Sequence, residues 1–124
     1  MQRRHKVLVV DDEESMRELL RLHLGNAGYE VTAAEDAVVA AQCLLKEKPD
    51  VMIVDVEMPY MTGYEFVAAV KADPATRDIP VVFLTTDPNV AEEARKLKAH
   101  GYLNKPVLAP RLLEVVALMT GRDR

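Results

Sequence analysis

The chain has 124 residues, 49% of them hydrophobic and 29% charged, with a formal net charge of −4. That is the size of one ordinary domain with a core of its own, and the composition of a folded domain, not of a disordered tail. The mildly acidic balance argues against direct nucleic-acid contact, the single cysteine, Cys43, excludes an internal disulfide and fits a reducing cytosol, and no apolar run approaches the roughly 20 residues of a membrane span. The basic start, Met1-Gln2-Arg3-Arg4-His5-Lys6, leads into an apolar run too short for a signal-peptide core, so the expected location is cytoplasmic.

In chain order, Val7-Leu8-Val9-Val10 reads as a strand stopped by Asp11-Asp12. Met16, Leu19, Leu20 and His23 then share one face of a helix. Tyr29-Glu30-Val31-Thr32-Ala33 is a weaker strand candidate, and Ala37, Ala41, Leu44 and Leu45 mark a second helix, which also carries a packed Cys43. Val51-Met52-Ile53-Val54 is a strand stopped by Asp55. Thr62 and Glu65 stand at capping-box spacing ahead of a helix with Phe66, Val67 and Val70. Val81-Val82-Phe83-Leu84 is a strand stopped by Thr85-Thr86. Asp87-Pro88-Asn89 leads into a helix with Val90, Ala94 and Leu97, Pro88 suiting its first turn. Tyr102-Leu103 is a weak strand candidate, and Pro110 opens a last helix with Leu112, Leu113, Val116 and Met119. Gly28 and Gly101 stand where helices give way to strands, a place that favours glycine.

Apolar runs without polar alternation suit strands covered on both faces. Strict alternation of strand and helix predicts an α/β fold: a flavodoxin-like three-layer (βα)5 sandwich with a five-stranded parallel sheet in the order 2-1-3-4-5, a single domain over residues 1–124. In such sheets ligands bind at the carboxyl ends of the strands where the order reverses, here between strands one and three. Strand one ends in Asp11 and Asp12, strand three in Asp55, strand four in Thr85, and Lys105-Pro106 follows strand five. Three carboxylates brought together repel unless a positive charge intervenes. A hard divalent cation such as Mg²⁺ (or Mn²⁺) supplies one charge and Lys105 another. A carboxylate so held can attack phosphorus and form an aspartyl phosphate. Taken singly, each group has an ordinary explanation: acids open helices, and Thr85-Thr86 or Asp55 can cap or turn. The arrival of four such groups at one rim outweighs those readings. His5, His23 and His100 have no metal-ligand spacing, and the charges from Glu92 to Lys98 read as a solvated helix face.

The segments Val9-Val10-Asp11-Asp12-Glu13, Val54-Asp55-Val56-Glu57-Met58-Pro59, Phe83-Leu84-Thr85-Thr86 and Gly101-Tyr102-Leu103-Asn104-Lys105-Pro106 together resemble the response-regulator receiver domains of two-component signalling, over nearly the whole chain. The resemblance implies that Asp55 is the phosphoacceptor, that Asp12 binds Mg²⁺ directly and Asp11 through water or a hydrogen bond, and that the backbone carbonyl of Glu57 is a further ligand. It implies that Thr85 is the switch hydroxyl, Tyr102 the switch aromatic and Lys105 the phosphate-contacting lysine, with a cis Lys105-Pro106 bond and Gly63 in the turn before the third helix. The implied partners are a sensor histidine kinase or histidine phosphotransfer protein, and a downstream effector met through the fourth helix, fifth strand and fifth helix. The expected role is therefore a signalling phosphoacceptor, not an enzyme that turns over a substrate. Three positions depart from the common pattern and bear on the strength of the switch: Thr86 replaces a smaller Ala, Thr62 an Asp, and Val107 a Phe. Glu57 and Asp87, two residues past Asp55 and Thr85, are expected to flank the route of hydrolytic water and, with Thr86, to modulate the lifetime of the phosphoryl group.

The competing readings are distinct. The chain stops soon after its fifth helix, which suggests a stand-alone switch; the alternative is the N-terminal receiver of a longer DNA-binding or enzymatic regulator, with Arg122-Asp123-Arg124 beginning a linker. An aspartyl-nucleophile phosphatase would want a second Asp where Glu57 stands. An FMN-binding flavodoxin would want a hydroxyl-rich phosphate loop where Asp11-Asp12-Glu13-Glu14 stands.

Overall fold

A computed structural model describes residues 3–121. The first two residues of the basic start and the candidate linker Arg122-Asp123-Arg124 lie outside the described residues. The elements alternate as β1 (Lys6–Val10), α1 (Glu14–Asn26), β2 (Glu30–Ala34), α2 (Ala37–Lys46), β3 (Val51–Asp55), α3 (Gly63–Ala72), β4 (Val81–Thr85), α4 (Val90–Lys96), β5 (Gly101–Asn104) and α5 (Ala109–Thr120). All strand pairs are parallel, in the order β2-β1-β3-β4-β5. The expected fold class and strand order are thus observed.

The sheet has two dry faces because its central strands carry unbroken apolar runs, residues 7–10, 51–54 and 81–84, joined within the strands only by Lys6 at the start of β1 and by Asp55 and Thr85 at the ends of β3 and β4. Leu8, Val10, Met52, Val54, Val81 and Phe83 face one cluster, closed by Ala37 and Ala40 of α2, Phe66, Val67 and Val70 of α3, and Val90 and Ala94 of α4. The alternate residues Val7, Val9, Val51, Ile53, Val82 and Leu84 face the other, closed by Leu20 and Leu24 of α1 and Leu112, Val115 and Val116 of α5. Each of the larger side chains among them, Val, Leu, Ile, Met or Phe, contributes about 1.5–3 kcal/mol by leaving water. The edge strands β2 and β5 are covered less completely, and their burial alternates or is broken. That is why they carried the weaker sequence signals.

Four local expectations are corrected. On α1 the buried residues are Leu20 and Leu24, while Leu19 is exposed. Helix α2 buries Ala37 and Ala40 and packs Val39, Cys43 and Leu44, leaving Ala41 and Leu45 in solvent. It is apolar almost all round, so spacing alone does not select a face. Asn89 caps α4, so Pro88 precedes the helix and is not in its first turn. Gly101 is simply the first residue of β5; the left-handed residue after α4 is Lys98, with φ of 59°. There Ala99 N–H donates to the Ala94 carbonyl at 2.9 Å and Lys98 N–H to Arg95 at 3.2 Å, closing the helix without a glycine. After α1 the same pair of bonds is made around Gly28, at φ 95°, as expected.

Candidate functional site

Strand pairing sets the site. Val10 lies opposite Val54, so Asp11 and Asp55 leave neighbouring strands side by side. One strand further on, Thr85 ends β4 opposite Asn104, and Lys105 N–H donates to the Thr85 carbonyl at 3.0 Å, which fixes the exit of β5 beside β4. The buried polar or charged residues among those described are Asp11, Asp55 and Thr85, all at this rim. Asp12 is exposed beside them. One carboxylate oxygen from each of Asp11, Asp12 and Asp55 lies within 4.8 Å of the others.

Lys105 Nζ donates to Asp55 Oδ1 at 3.1 Å and stands 3.7 Å from Asp11 Oδ2 and 3.6 Å from Glu13 Oε1. Asp11 Oδ1 accepts from Glu13 N–H at 2.9 Å, and the Asp11 carbonyl accepts from Arg17 Nη1 at 2.8 Å. Asp11 Oδ2 is buried and accepts no hydrogen bond from the described residues. One lysine does not neutralise this acid surplus. Burial first, and then the charge of Asp11, push the Asp55 carboxyl up to about 7, against the opposing pull of Lys105. Burial likewise raises Asp11. Burial lowers Lys105, but Asp11 and Asp55 outweigh it and raise that ammonium. A buried carboxylate oxygen without a donor, among clustered hard oxygen atoms, fits a small divalent cation. Above it, Asp12, Glu13, Asp55, Glu57, Thr86 and Lys105 line a pocket of about 310 Å³.

Residues 7–117 match the response regulator receiver domain family. The chain belongs to that family of two-component signalling domains. A receiver's likeness extends to its relatives: the response regulator MprA of Mycobacterium ulcerans is 36% identical over 121 residues, covering 96% of this chain and 51% of MprA. The chain therefore spans about half the length of such curated relatives. Among solved structures, the chemotaxis response regulator CheY4 of Vibrio cholerae is 39% identical with a TM-score of 0.88, covering 94% of this chain and 99% of that one. The receiver domain of NtrX from Brucella abortus is 27% identical with a TM-score of 0.85, covering 93% and 98%. Among the described residues of this receiver, no helix is long and apolar enough to cross a membrane.

The receiver brings together Asp11, Asp12, Asp55, Thr85, Thr86, Lys105 and the side chain of Glu57. Its Lys105-Pro106 bond is cis. Tyr102 stands on β5 with 39% of its surface exposed, turned to solvent. Asp87 departs from expectation. Its carboxylate does not line the pocket; it accepts from Tyr64 O–H at 2.7 Å and from Asn89 N–H at 2.9 Å. Thr85 Oγ1 donates to Glu57 Oε1 at 2.9 Å and accepts from Asp87 N–H at 3.0 Å, so its hydroxyl is engaged on the pocket's flank. Gly63 N–H donates to the Val56 carbonyl at 2.8 Å, and a β-carbon at Gly63 would stand 2.3 Å from the Asp55 carbonyl oxygen. The turn before α3 thus abuts the backbone of Asp55. Two site residues escaped the sequence reading. Glu13 shares Lys105, and only its place directly after Asp11-Asp12 hinted at it. Tyr64 reaches the site through Asp87, and nothing in its spacing marked it.

Proposed function

We propose that this receiver accepts a phosphoryl group on Asp55 from the phosphohistidine of a sensor histidine kinase or a histidine phosphotransfer protein. An Asp55 oxygen forms the new P–O bond as the P–N bond breaks, and the bond electrons leave with the donor imidazole. The observation that carries the reading is the buried Asp55 carboxyl, flanked by surplus acid and one ammonium, at the floor of an open pocket. Asp11, Asp12, Asp55 and the backbone carbonyl of Glu57 would hold Mg²⁺ (or Mn²⁺). When bound, that cation supplies positive charge to the acid cluster and to the phosphoryl oxygens. Lys105 orients Asp55 through its 3.1 Å hydrogen bond and offers a mobile positive charge to a phosphate oxygen. Thr85 gives up its bond to Glu57 to donate to the new phosphate, and Tyr102 turns inward into the space vacated. This repacks the α4-β5-α5 face that a downstream effector reads, a population shift biased by the phosphate's own contacts. The protein acts in the cytoplasm as a switch. Glu57 and Thr86, at the pocket wall, govern access of water to the acyl phosphate.

A second reading, a receiver working at the front of a longer regulator, draws support from the doubled length of the MprA relatives. The length of the gene decides between the two. Treatment with a small phosphodonor and Mg²⁺ followed by intact mass tests the main reading. Wild type gains one alkali-labile phosphoryl group and Asp55→Asn gains none; an unmodified wild type overturns it.

A further inference from the structure

The hydroxyl that must move is tied down through a chain of contacts that ends on α3. Thr85 Oγ1 donates to Glu57 and accepts from the Asp87 amide. The Asp87 carboxylate is itself gripped twice, by Asn89 N–H and by Tyr64 O–H. Tyr64 sits in the first turn of α3, next to Gly63, which abuts the Asp55 backbone. Its ring lies edge-on to Phe83 with centroids 5.0 Å apart and planes at 77°, and Phe83 is a fully buried residue of β4. Tyr64 is therefore anchored to the frame that carries Asp55, while its hydroxyl grips the loop that carries Thr85.

We propose that Tyr64 is a positioning residue for the switch: through Asp87 it holds the Thr85 hydroxyl on Glu57, away from Asp55, and so sets how strongly the protein resists switching. The inference rests on reading Asp55 as the acceptor and Thr85 as the hydroxyl that follows the phosphate. A phenol donating to an ionised carboxylate at 2.7 Å is a charge-assisted bond, stronger than a neutral one. Burial, and then Asp87, raise the Tyr64 hydroxyl further from ionisation, while the hydrogen bonds from Asn89 and Tyr64 hold Asp87 low, so donor and acceptor keep these states across the physiological range. For Thr85 to reach a phosphate on Asp55, the loop carrying Asp87 must shift, and the Tyr64 bond opposes that shift. A plain packing role would make Tyr64 matter for stability alone.

Tyr64→Phe keeps the ring and its contact with Phe83 and removes only the donor. The readout is the ring signal of Tyr102 in ¹³C-tyrosine-labelled protein, with and without a small phosphodonor plus Mg²⁺. In the unphosphorylated Tyr64→Phe protein the population at the phosphorylated position rises roughly tenfold over wild type, as expected for losing one charge-assisted bond that favours the resting state. Asp87→Ala, which removes the acceptor, has the same effect, and the double variant adds nothing further. An unmoved Tyr102 population in both single variants overturns the proposal even if their melting temperatures fall, and so does a Tyr64→Phe effect that persists in the Asp87→Ala background. If wild type phosphorylates and its Tyr102 signal moves, those failures fall on Tyr64 alone. If wild type takes no phosphoryl group, the reading beneath has failed and the proposal falls with it.

Discussion

Asp55→Asn is expected to stabilise the metal-free protein at neutral pH and above, by an amount that grows as pH rises from about 4 to about 7. Asp55 is 1% exposed, and burial followed by the charge of Asp11 pushes its carboxyl up to about 7 from an ordinary 3.8. The folded state therefore holds a proton across that window which the unfolded chain has released, and stability falls as pH rises through it. Each tenfold change in proton affinity is worth about 1.4 kcal/mol, so the full cost above pH 7 is on the order of 4 kcal/mol. Asparagine carries no charge in either state and removes that cost. Wild type and variant should unfold alike near pH 4, diverge as pH rises, and hold a constant gap above about pH 7. Asp11 is raised in the same direction and remains in the variant, so a residual slope persists. Urea unfolding at a series of pH values, with unchanged m-value, measures the gap. Mg²⁺ should narrow it by stabilising wild type through binding to the folded state only. Equal midpoints at every pH, or a less stable variant at pH 8, would refute the electrostatic argument.

Three further outcomes follow from named contacts. Gly63→Ala forces a methyl to within 2.3 Å of the Asp55 carbonyl oxygen and 2.9 Å of Val56 Cα, so the unfolding free energy from urea titration should fall by about 1–3 kcal/mol and phosphorylation should slow. Lys105→Ala removes the ammonium bonded to Asp55; intact mass should still show partial phosphorylation, while the Tyr102 ring signal moves far less than in wild type. Asp36→Ala removes the side chain that accepts from Val39 N–H at 2.9 Å at the start of α2, and should cost about 1 kcal/mol in urea unfolding with phosphorylation unchanged.

How much of this was legible in the sequence depended on how local its cause is. Central strands were plain because burial on both faces demands unbroken apolar runs such as Val51-Met52-Ile53-Val54. The convergence of Asp11, Asp12, Asp55, Thr85 and Lys105 followed from strand order, since each lies at or just past the carboxyl end of its strand. Helix faces were less legible. In α2, adjacent Leu44 and Leu45 cannot both face the sheet, and the close approach of Ala37 and Ala40 decides which one does. The end of α4 was misplaced because Lys98 adopts the left-handed conformation that residue type assigns to Gly101. The Asp87 carboxylate is held outside the pocket lining by Tyr64, 23 residues earlier in the chain and on another helix. Such a contact exists only after the fold has formed.

The most direct test of the central claim asks which side chain carries the phosphoryl group. Wild-type protein would be phosphorylated with a small donor and Mg²⁺, reduced with borohydride to convert an aspartyl phosphate to homoserine, digested and mapped by tandem mass spectrometry. The account predicts homoserine at position 55 and nowhere else, dependent on the divalent cation. Homoserine at position 11 or 12, or none at all in protein shown to be folded, would contradict it.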